Sequence, residues 1–69
     1  MRVYSLTKLG EQVAVKSNSN TGEMKVLKYM YANRRQPITD SELANVDSDS
    51  KFMVNGLKRQ GLVVELTSG

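Results

Sequence analysis

The chain has 69 residues, a net charge of +3, and neither cysteine nor histidine. It is expected to form a single domain, residues 1–69, and at this length folding buries only about 60% of the unfolded chain's surface. Disulfides, thiolate metal sites and histidine acid–base chemistry are excluded, and with hydrophobic residues at 39% but aromatics at 6% the core has to be aliphatic.

RVYSLT, residues 2–7, predicts a strand over 2–6, with Val3 and Ser5 facing one side and Tyr4 and Leu6 the other. Thr7 is placed to cap a helix over 7–15, whose apolar positions are Leu9, Val13 and Ala14. Gly10 weakens that helix by about 1 kcal/mol relative to Ala, so packing has to hold it. KSNSNTG, residues 16–22, reads as a polar loop.

A second helix is predicted over 22–34. Met24, Leu27, Met30 and Tyr31 form its buried stripe, Val26 lies at the edge, and Lys25, Lys28 and Tyr29 face water. Pro37 forbids continuation and pushes Gln36 toward extended geometry. Thr39 with Glu42 makes a capping box for a short helix over 40–46, and Ile38 can reach Leu43 as a hydrophobic staple. Asp47, Ser48 and Asp49 turn the chain and cap a fourth helix over 50–60, which Gly61 stops. LVVEL, residues 62–66, is a second strand, expected to pair antiparallel with residues 2–6, and TSG trails off. The expected fold is α+β: four helices with a small two-stranded antiparallel sheet joining the N- and C-terminal strands. The expected core is Leu6, Leu9, Val13, Met24, Leu27, Met30, Tyr31, Ile38, Leu43, Val46, Met53, Val54, Leu57 and Leu62.

On a helical wheel the fourth helix divides cleanly. Met53, Val54 and Leu57 fall on one side, and Lys51, Asn55, Lys58, Arg59 and Phe52 fall within about 120° on the other. Cations there suit phosphates, Asn suits an adenine edge, and Arg suits guanine or phosphate. Phe52 can meet a thymine methyl or pack against the third helix or the turn, and Gly56 can let the third helix approach. If this face meets a nucleic acid, Lys25, Lys28, Arg34 and Arg35 are the expected secondary phosphate contacts. The competing reading for these cations is a solvated helix face, with Arg34 and Arg35 complementing a helix C-terminus.

PITDSELANVDSDSKFMVNGLKRQGLVVEL resembles the core of an archaeal-type winged helix-turn-helix domain, chiefly through SELA and GLKRQGLV. The likeness covers residues 22–66. YSLTKLGEQVA is similar to the strand and helix that follow the wing in such domains, here placed first, and to N-terminal winged-helix modules of phenylalanyl-tRNA synthetase alpha subunits. The resemblance implies a transcription-regulator-type module that binds double-stranded DNA with helix 50–60 as its recognition helix, aided by a homodimer or a neighbouring domain. Residues 2–6 have to supply the wing's second strand, or the wing is absent. The alternative is an interaction module for a protein partner or structured RNA.

No phosphate loop or nucleophile elbow is present, so an enzyme is not expected. Asp40, Glu42, Asp47 and Asp49 are explained as caps rather than metal ligands. No cofactor, small-molecule substrate or membrane is implied. No apolar run approaches a membrane span and no signal-peptide pattern opens the chain, so the expected setting is cytoplasmic.

Overall fold

The computed structural model describes residues 2–66, and the TSG tail lies outside them. The elements run β1 (Val3–Leu6), α1 (Lys8–Lys16), α2 (Gly22–Ala32), β2 (Ile38–Thr39), α3 (Asp40–Val46), α4 (Ser50–Arg59) and β3 (Val63–Glu65). The architecture is α+β, with four helices and an antiparallel sheet of order β2-β1-β3.

β1 pairs with β3 in the expected sense, with Tyr4 opposite Glu65, Ser5 opposite Val64 and Leu6 opposite Val63. The sheet has three strands rather than the two expected. Ile38 and Thr39 pair with Tyr4 and Val3 along the other edge of β1. Two residues are too few for a visible period-2 pattern, and their pairing is long-range, so only the extended geometry beside Pro37 was legible. The pairing centres the N-terminal strand and ties both halves of the chain to it.

Each helix starts on a local signal. Thr7 accepts from Gly10 N–H at 3.0 Å, and its own hydroxyl donates to Gly61 O at 2.7 Å, so one cap pins α1 to the end of α4. Thr21, within the segment read as loop, caps α2 through Met24 N–H. Thr39 and Glu42 form the expected capping box on α3. The fourth start differs from expectation, because the Asp49 side chain makes no cap bond. Asp47 Oδ1 accepts from Asp49 N–H at 2.9 Å instead and shapes the turn.

α4 ends in a Schellman motif. Gly61 takes φ +78°, Leu62 N–H donates to Leu57 O, and Gly61 N–H donates to Lys58 O. The left-handed conformation is what requires glycine there. Leu62 and Leu57 are both buried, which supplies the motif's usual apolar contact.

The core comprises Tyr4, Ala14, Val26, Leu27, Met30, Ile38, Leu43, Val54, Leu57, Leu62 and Val63. Leu6, Val13, Met24, Tyr31, Val46 and Met53 were expected inside but are only partly buried against it. Tyr4, Ala14, Val26 and Val63 enter the core unforeseen. Leu9 is the clear miss at 50% exposed. Its neighbour Gly10 explains the rotation of α1. A Cβ at Gly10 would collide with the Leu62 carbonyl and Leu6, so α1 lies on the chain through its glycine side. The residue read as a weakness of this helix is its closest point of packing.

Candidate nucleic-acid interface on α4

α4 is a helix with two different sides. Ser50, Val54 and Leu57 are buried, and Met53 is partly buried over Gly22 of α2. α2, α3 and β3 all pack on this inner arc. Gly56 lies beside Glu23 of α2, not α3 as expected. Lys51, Phe52, Asn55 and Arg59 are exposed on the opposite arc. Phe52, expected to pack against α3 or the turn, stands 75% exposed. The apolar residue is thus set among the polar ones and is left out of the core.

The remaining candidates are held to different degrees. Lys58 turns toward the sheet: its Nζ lies 3.0 Å from Glu65 Oε1 and 6.0 Å from the centre of the Tyr4 ring. Tyr4 and Glu65 are register partners, so the strand pairing itself builds this seat for Lys58. Arg34 points to α1. Its Nε is 3.4 Å from Glu11, its guanidinium sits 4.3 Å from the centre of the Tyr31 ring, and Nη1 donates to Tyr31 O at 2.9 Å. Lys28 Nζ reaches Ser19 O at 3.4 Å, closing the loop ahead of α2. Lys25 and Arg35 are exposed. Of the nine sequence candidates, the structure brings Lys51, Phe52, Asn55 and Arg59 together on one helix face, and it gives Arg34 and Lys28 local structural partners.

Tyr29 is not on a wet face as expected. It is half-buried, and its hydroxyl donates to Glu42 Oε2 at 2.8 Å, joining α2 to α3. The hydrogen bond from Tyr29, reinforced by the Thr39 backbone N–H, holds the Glu42 carboxyl below its ordinary pKa. The same bond, with some desolvation, raises the Tyr29 phenol above its ordinary value. Glu42 therefore closes the capping box with one oxygen and fixes the α2–α3 angle with the other. No sequence periodicity encodes the pair, which lies thirteen residues apart.

One further cation belongs to this region and carries no local sequence signal. Arg2, just ahead of β1, lines a cleft shared with Lys51 and the α3–α4 turn. Its position follows from the β1–β2 pairing, which the sequence did not reveal. Among the described residues no cluster of Asp and Glu could hold a metal ion, and no helix is long and apolar enough to cross a membrane. No family model, characterised protein or solved structure shows a significant match to the chain.

Proposed function

We propose that the protein is a winged-helix-type module that binds double-stranded DNA through the outer face of α4, in the manner of a transcription regulator. The observation that carries this reading is the exposed row Lys51, Asn55 and Arg59 on a helix that follows a capped short helix and a tight turn. Lys51 and Arg59 would neutralise phosphates and gain affinity from counterion release. Asn55 presents a donor and an acceptor that match adenine in the major groove. Lys58, seated on Glu65, is a weaker contributor than its neighbours, and Arg34 is a structural residue first. β3 pairs with β1, and on this reading that pair would serve as the wing. One short helix reads few base pairs, so useful specificity calls for a second copy or a neighbouring domain.

A second reading rests on Phe52. A ring 75% exposed on a helix face is also what a protein partner would anchor on. Titrating a random 20-mer duplex at two salt concentrations, followed by backbone amide shifts, separates the two. DNA binding predicts shifts along 51–59 that weaken steeply with salt. Absence of salt-dependent shifts at low ionic strength rejects DNA and favours the protein-partner reading.

A further inference from the structure

Beside the outer face of α4, between β1, α3 and the α3–α4 turn, lies a cleft of about 360 Å³. This is near the lower end of the range for ligand pockets, about 300–1,000 Å³. Tyr4, Leu43 and Val54, all buried core residues, line it and give it an apolar floor. Its rim is polar and of mixed sign, with Arg2 and Lys51 cationic and Asp40 anionic. None of these three is joined in an ion pair, the pairs among the described residues being Arg34–Glu11 and Lys58–Glu65.

The start of α4 forms one wall. Ser50 is only 5% exposed and lines the cleft. Every sealed polar side-chain atom among the described residues has a hydrogen-bond partner. The Ser50 hydroxyl bonds to no described residue and is not sealed from solvent, and Ser50 itself lines the cleft. The Asp49 side chain leaves the helix end uncapped. Ser50 N–H goes to Asp47 O and Phe52 N–H to Asp49 O, while the Lys51 amide between them has no acceptor among the described residues. A hydroxyl, a free amide and the Lys51 cation are thus available to an anionic group at the start of α4, while Arg2 lies beside Asp40, whose N–H donates to Arg2 O at 3.0 Å.

We propose that this cleft binds a free α-amino acid with a compact apolar side chain. Its carboxylate would sit on the Ser50 hydroxyl and the Lys51 amide, with the Lys51 ammonium balancing its charge. Its ammonium would face Asp40, and its side chain would cover the Tyr4, Leu43 and Val54 floor. A bare anion such as phosphate would leave that floor wet and Asp40 without a cationic ligand group. A neutral apolar ligand would desolvate three charges and satisfy none. A zwitterion with an apolar body answers both sets of groups. Lys51 also belongs to the proposed DNA-binding face, so occupancy would weaken DNA binding; that consequence alone rests on the DNA reading.

The test needs no DNA. The protein is titrated with L-leucine to about 10 mM, well above a millimolar dissociation constant, while backbone amides are followed. Saturable shifts are expected at Ser50, Lys51, Leu43 and Tyr4. Ser50→Ala and Asp40→Asn, each checked for folding by thermal melting, should each weaken binding at least about fivefold, roughly the loss of one hydrogen bond. On the parent protein, 4-methylpentanoate, which lacks the ammonium, should bind more weakly than leucine. Absence of saturable shifts overturns the proposal. So does equal binding of 4-methylpentanoate, a result that stands even where a variant fails to fold. Loss of leucine binding with DNA binding intact would leave the DNA reading standing, and the converse would leave the cleft standing.

Discussion

The inner and outer sides of α4 carry similar numbers of side chains, but different forces act on them. Inside, Val54 and Leu57 are buried where α2, α3 and β3 pack on the helix, and their environment is fixed by those elements. Outside, Lys51, Asn55 and Arg59 are exposed. The two sides should therefore fail separately: inner substitutions should change stability, and outer ones should change binding at unchanged stability. Lys58 lies at the boundary, bound to Glu65 yet partly exposed, and should show a little of both.

The largest effect should come from the inner side. Leu57→Ala removes a fully buried side chain and should cost about 2–5 kcal/mol in urea unfolding, enough to threaten a domain this small. A midpoint close to the parent's would show that the two sides have been misassigned. Gly10→Ala is a sharper test, because two principles disagree about its sign. Helix propensity alone favours Ala by about 1 kcal/mol. The collision of a Cβ with the Leu62 carbonyl, a backbone atom that cannot rotate away, predicts net destabilisation. A stabilised variant would mean that α1 does not seat on Leu62. Gly61→Ala should cost about 1–2 kcal/mol, the penalty for a left-handed residue, and should lower the melting temperature without altering α4's outer face.

Smaller still is the effect of the bond that positions α3. The folded-state pKa of Glu42 is depressed, so its contribution to stability is present above the ordinary carboxylate pKa and is lost as pH falls through the lower folded value. The folded-state pKa of Tyr29 is raised, so its contribution is present below the ordinary phenol pKa and is lost as pH rises through the higher folded value. Stability measured against pH should therefore decline at both ends, and Tyr29→Phe should flatten both arms. Unchanged arms in that variant would show that the Tyr29–Glu42 bond does not form in solution.

The chain's legibility followed the range of each signal. Thr7, Thr39, Glu42, Pro37 and Gly61 act within a few residues, and each announced an element boundary close to where it occurs. The division of α4 was readable because helical geometry alone dictates it. Long-range partners were not readable. β2 depends on meeting Tyr4 and Val3, Tyr29 depends on Glu42 from another helix, and Lys58 depends on a glutamate brought in by β3. The core role of Gly10 was hidden for the same reason, since its neighbour Leu62 lies at the other end of the chain. The fold was therefore legible in outline. The α4 face was legible in its residues, but which of its cations remain exposed was decided by tertiary packing.

If the outer side of α4 meets DNA phosphates as proposed, the affinity carries their salt signature. The most direct measurement is the salt dependence of duplex affinity for the parent and for a Lys51→Ala/Arg59→Ala double variant. Both positions are exposed, so the variant should melt with the parent. The log–log slope is expected to fall by about two, close to one for each phosphate that is no longer neutralised. A double variant that keeps the parent's slope and affinity would contradict it.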